Sequence, residues 1–160
     1  MKTWVKIAII TVAVALPAFL LEPNGPWGGF WLPSPAWPEP TAGLVPFFMV
    51  LGMLDALSLG AAVSFLVFGY PLVAAIGTAP KGLTFAAYLA IVWVLGNWWA
   101  HDSLHIHHGP DLVPLLGLEY GFHVTLMIAG AILAVFFVKV LSQRTVSPQE
   151  GYRVKTKAVA

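Results

Sequence analysis

All five histidines of the chain, His101, His105, His107, His108 and His123, fall between residues 101 and 123, and Glu119 stands one helical turn before the last of them. Imidazole is the commonest metal ligand and the side chain whose charge changes nearest to neutral pH. On a helix that runs as far as Gly109, His101, His105 and His108 follow at i, i+4 and i+7 and share one face. Two histidines four apart on a helix form a standard ligand pair, because successive turns bring their nitrogens to a common point. His107 projects away from that face, as a group behind the ligands or a solvated one. Across a short connection His123 lies near the start of the next helix, at nearly the depth of His101. Glu119 is spaced to accept the second ring N–H of His123 and fix its tautomer, as carboxylates behind metal-bound histidines do. Asp102, next to His101, is assigned to the same supporting layer.

The expected chemistry is a transition-metal site with His101, His105, His108 and His123 as ligands, holding Cu, Zn or Fe, or else a bis-histidine haem b. Imidazole suits all three ions. Met49, Met53 and Met127 lie in the same halves of their helices, and their thioethers suit Cu(I), although methionine is ordinary in apolar helices. Haem needs a slot between helices, for which Gly96 and Gly121 offer space, but the cluster supplies more imidazoles than two axial positions use. The plainer account is that HDSLHIHHG is a solvated helix end. Asp55 is the other notable polar residue. It stands about ten residues, ~15 Å, inside the second apolar segment, where an acid costs ~2.5–3.5 kcal/mol and faces a partner in the bundle interior. Two roles are open to it: a protonated acid bonded to helix backbone, or a proton and charge partner of the histidines.

These residues are carried by apolar helices. Only 9% of the chain is charged, against about 25% in soluble domains. Four segments, near 5–21, 44–70, 83–100 and 117–139, satisfy the ~20 helical residues that a hydrocarbon core requires. In lipid, backbone groups must bond within their own segment, which makes each one a helix. The expected fold is an all-α integral membrane protein: a four-transmembrane-helix bundle over residues 1–142, followed by a polar tail, 143–160, that is mostly disordered. Lys2, Lys6, Lys81, Lys139, Arg144, Arg153, Lys155 and Lys157 flank one edge, whereas the other two loops hold only acids, Glu22, Glu39, Asp102, Asp111 and Glu119. The positive-inside bias then puts both termini and the 71–82 loop in the cytoplasm and the histidines on the extracytoplasmic face, in a bacterial or archaeal cytoplasmic membrane. Lys2 and Lys6 before a run ending at Ala13-Val14-Ala15 have the outline of a secretory leader. We read the run as a retained helix, and its removal leaves the sidedness of the three later segments unchanged.

Pro17 predicts a kink or early exit near the end of the first helix. Residues 22–43 interleave Pro23, Pro26, Pro33, Pro35, Pro38 and Pro40 with Trp27, Phe30, Trp31 and Trp37, a composition unsuited to helix or central strand. It predicts an extracytoplasmic lid in the headgroup layer, where indoles accumulate, with ligand stacking as a secondary role. The second helix starts at Pro46, an acceptable first-turn proline, and ends at Tyr70-Pro71. Along it Gly52, Ala56, Gly60 and Ser64 recur every four residues, a stripe that admits a neighbouring helix closely. Asn97, Trp98 and Trp99 mark the interface at the end of the third helix, and Gly109-Pro110 breaks the chain before the fourth.

Several chemistries are excluded. The chain has no cysteine, hence neither disulfides nor thiolate ligands. It has no Gly-rich phosphate loop, no basic surface for nucleic acid and no lysine inside a span to form a Schiff base. Ser58 and Ser64 have no histidine nearby on their own helix. The expected function is redox chemistry or metal handling at the extracytoplasmic face, with the lipid bilayer as the constant partner. Two alternatives stay open. One is a non-catalytic accessory subunit of a larger membrane complex, packed against other subunits or a second copy. The other is a proton-coupled carrier or pH sensor that titrates the histidines and Asp55 without metal.

Overall fold

A computed structural model describes the backbone of residues 2–31 and 41–157, with side chains as far as Gly29 and from Thr41 to Gln143. The expectations placed on Pro33, Pro35, Trp37, Pro38 and Pro40, and on the side chains of Phe30 and Trp31, fall outside these residues. The described residues form helices and no strand: α1 (Thr3–Leu21), a 3-10 turn (Gly28–Trp31), α2 (Val45–Ala74), α3 (Lys81–His108) and α4 (Leu112–Lys157). All of α1, α2 and α3, and α4 from Leu112 to Gln143, are long and apolar enough to cross a membrane. By that criterion the chain is a multi-pass membrane protein.

The helix ends follow from local chemistry. Pro46 sits in the first turn of α2, where its missing N–H has no partner to lose. α3 closes at Gly109, whose φ of 55° is the one positive value among the described residues. A glycine takes that conformation without strain, and Pro110 behind it blocks continuation. Asp111 then starts α4: its carboxylate accepts from the Val113 N–H at 3.2 Å, covering a donor that the first turn leaves open. Helices also run further than the apolar segments alone indicate. α1 continues through Pro17 to Leu21 without an early exit. α2 passes Pro71 and gains another turn, with Ala75 N–H donating to the Pro71 carbonyl at 3.1 Å. The tail expected to be disordered is helical as far as Lys157. Once a helix is nucleated, each added residue brings a hydrogen bond without a new nucleation cost, so α4 extends into polar sequence.

Successive helices are antiparallel neighbours. α1 and α2 meet along the small-residue stripe: Gly52, Ala56, Gly60 and Ser64 are all buried. A Cβ on Gly60 would run into the Thr11 carbonyl, and Ala56 packs with Ala15 and Ala18. In the middle of this seam the Thr11 and Ser64 hydroxyls are 3.0 Å apart. Ser58 ties α2 to α3 by donating to the Leu95 carbonyl at 2.6 Å. At the end of the bundle near Lys6, Lys81 and Lys139, the core is apolar: Val73, Ala87, Tyr88, Phe136 and Val140 are buried together, and the Tyr88 hydroxyl donates to the Leu66 carbonyl. Large apolar side chains such as Phe47, Leu116, Met127 and Val138 are exposed, as a surface facing lipid requires.

Candidate metal centre

α3 runs unbroken to His108, so His101 and His105 lie one turn apart on a continuous helix. Their ring centroids are 4.4 Å apart and their Nε2 atoms 3.1 Å apart. The antiparallel α4 brings Glu119 and His123 to the same level, again one turn apart. The Glu119 carboxylate bridges the two helices: Oε1 is 3.0 Å from His105 Nε2 and Oε2 is 2.5 Å from His123 Nδ1. The His101 ring lies 5.3 Å from that of His123 and edge-on to it. Phe122, stacked on Trp93 at 5.8 Å, lies edge-on to His101 at 5.2 Å.

One ligand atom from each of His101, Glu119 and His123 lies within 4.8 Å of the others. Ligand atoms about 2.05 Å from a tetrahedral ion sit roughly 3.4 Å apart, a contraction that side-chain rotation supplies. On its far side His101 Nδ1 is 2.9 Å from Asp102 Oδ1. Its other ring nitrogen, Nε2, faces His105. His105 Nε2 is within hydrogen-bond reach of both His101 and Glu119.

The remaining expected residues are placed differently. His108 is not drawn into the group; it lies two turns, about 10 Å, along the axis from His101, and its ring packs on His107 at 5.0 Å. Glu119, expected only behind His123, presents an oxygen in the group itself. Met49, Met53 and Met127 are exposed. The space expected beside Gly96 is filled from α2, since a Cβ there would lie 3.1 Å from the Ala62 methyl, whereas Gly121 is open.

Asp55 finds its partner across the helix pair: its carboxyl is hydrogen-bonded to that of Asp102. Sequence reasoning missed Glu22. Counted as a loop charge, it is in fact buried, 7% exposed, with its carboxylate laid over Gly52 where no Cβ fits. Burial pushes the Glu22 carboxyl above its ordinary range and nearby Asp102 adds to this, while a hydrogen bond from Asn24 acts the other way. Trp99, expected only as an interfacial marker, donates its indole N–H to the Ala18 carbonyl at 3.0 Å and fixes α3 against α1. Topology held the signal for Glu22. α1 and α3 run in the same direction, so the acid that closes α1 stands near the level of the last turns of α3, Asp102 among them.

No protein-family model, curated protein or solved structure matches the chain. Among the described residues, His101, Glu119 and His123 form a group whose geometry could hold an ion.

Proposed function

We propose that the histidine end of the bundle binds one transition-metal ion through His101, Glu119 and His123, with His105 and Asp102 orienting them, and that the protein performs redox chemistry or metal handling there. The observation that carries this is the convergence of those three side chains, from two adjacent helices, within 4.8 Å. An N2O donor set suits zinc, Cu(II) and Fe(II). Haem fits less well, because the Glu119 carboxylate joins His105 to His123 and occupies the gap that a macrocycle between imidazoles would need. The cationic residues gather at the opposite end, so the positive-inside bias assigns the centre to the extracytoplasmic face.

A second reading, a metal-free proton carrier or pH sensor, draws on the unbroken chain of contacts from Asp55 through Asp102, His101, His105 and Glu119 to His123. Elemental analysis and a visible spectrum of detergent-purified protein separate the readings. Stoichiometric zinc, copper or iron, lost in Glu119→Gln, supports the metal centre, and a Soret band replaces it with haem. A preparation that binds neither leaves the proton reading, or the accessory subunit if other proteins co-purify.

A further inference from the structure

We propose that the open side of Glu119 and His123 takes the hydroxyl-bearing aromatic head of an amphiphile dissolved in the bilayer, a phenol or quinol, rather than a water-borne substrate. This rests on the reading of the histidine end as the functional site, and adds where its ligand comes from. In a helix long and apolar enough to cross a membrane, the side chains of Glu119 and His123 are 44% and 51% exposed. The residues outward of them are exposed too, and apolar. Leu112, Val113 and Leu116 stand two to three turns beyond His123 on α4, and Val113 is 80% exposed.

α2 carries a matching collar. Ala18 is level with Trp99 through the indole bond, and one turn further along α1 Glu22 lies over Gly52. Val45–Leu51 therefore stand outward of His101, whose ring meets that of His123 at 5.3 Å. Every residue from Val45 to Leu51 is exposed, Phe47 by 73%. Consecutive positions face all directions around a helix, and apolar surface left in water costs roughly 25 cal/mol per Å2. The collar thus belongs in an apolar phase, and His123 lies deeper than the collar. Length agrees. His123 is sixteen residues from Lys139, ~24 Å of helix, within a hydrocarbon layer of ~30 Å. Glu119, one turn further out, reaches the boundary with the headgroups. Charge and rings specify the head. Glu119 is an acceptor and the lysines gather at the opposite end, so a neutral hydroxyl donor is matched and an anionic lipid head is not. Trp98 and Phe122 pack on His101 and Trp93 stacks on Phe122. Trp93 and Trp98 are partly exposed, which offers an incoming ring aromatic faces to stack on.

The chain has no cysteine, so Val124→Cys, exposed beside His123, takes a single nitroxide in full-length protein reconstituted into phosphatidylcholine vesicles. We expect oxygen, which concentrates among acyl chains, to relax this label more than a water-soluble nickel chelate does. The head is probed in metal-free protein with a brominated dodecylphenol, a tryptophan quencher, and with its methyl ether, which has no hydroxyl to donate. Saturable quenching is expected from the phenol alone, about tenfold weaker in Glu119→Gln. Relaxation dominated by nickel overturns the proposal, because it puts the face in water. So does a label that neither reagent reaches, because a second chain then covers the face. Equal quenching by phenol and ether is also fatal. Where Glu119→Gln does not elute as a monodisperse species, the two probes on the wild-type chain decide. Zinc stoichiometry, assayed separately, holds or fails independently of these results and reports on the metal reading alone.

Discussion

The two ends of the bundle use the same helices for opposite purposes. Near the lysines, α2, α3 and α4 bury Val73, Ala87, Tyr88, Phe136 and Val140 in an apolar plug. At the histidine end the buried or half-buried polar residues Glu22, Asp55, Asn97, His101, Asp102, Ser103 and His105 share the interior with the small cluster of Ala15, Ala18 and Ala56, in a place where lipid offers no compensation for an unpaired polar group. At the lysine end the helices are held by large apolar side chains, and at the histidine end by small ones and by the Trp99–Ala18 hydrogen bond. In consequence the contacts that carry stability and those that carry chemistry are separable, and substitutions at each end should fail differently.

The largest loss of stability belongs to the lysine end. Phe136 is fully buried, and Phe136→Ala is expected to cost about 3–5 kcal/mol, read as a lowered unfolding temperature in detergent, with metal content per folded chain unchanged. Metal loss at full folding would erase the contrast. Gly52→Ala comes next, at about 1–3 kcal/mol for overpacking, because the new methyl would occupy the position of the Glu22 carboxylate. If that variant melts as the wild type does, Glu22 does not rest in the notch.

How much of this is legible in the sequence differs between the ends for a physical reason. Helix number, the small-residue seam of α2 and the break at Gly109 follow from local rules of length, periodicity and backbone conformation, which one sequence displays. The pairing of His101 and His105 is equally local, being one helical turn. Glu22 and the Asp55–Asp102 contact depend on how three separate helices are rotated about their axes, and composition carries no such information. His108 shows the limit of a shared face: i and i+7 agree in direction but stand two turns apart, too far for one ion. The tail departs from the expected disorder because polarity alone does not end a helix, and a long helix already in place extends readily into polar sequence.

Smaller effects test the join between the ends. In metal-free protein, Glu22 has a carboxyl raised above its ordinary 4.5 by burial and by Asp102. The folded chain then keeps a proton that the unfolded chain has released, so its contribution to stability is complete below 4.5 and is lost as pH rises through the folded value. The slope is less than about 1.4 kcal/mol per pH unit, the limit for one proton. Glu22→Gln should remove that slope relative to wild type in unfolding scans across the acidic range, and an unchanged slope would mean that Glu22 is not desolvated. Trp99→Phe deletes the indole donor to Ala18 and is expected to cost about 0.5–1.5 kcal/mol.

The smallest expected change in stability accompanies the complete loss of the metal, and it is the sharpest test of the contrast. The His123 side chain is half exposed, at 51%, and its close polar partner is Glu119, one turn away on the same helix. Removing it opens no buried cavity and breaks no contact between α1, α2 and α3. His123→Ala should therefore stay within about 0.5 kcal/mol of wild type, as exposed positions generally do, when both are compared without metal. Its metal stoichiometry should nevertheless fall to background, because His101 and Glu119 alone provide two of the three converging atoms. The ligand-induced gain in unfolding temperature, which only a chain able to bind the ion can show, should vanish with it. A variant that melts early even when stripped of metal would mean that the imidazole serves packing, and the division of labour between the two ends would not hold.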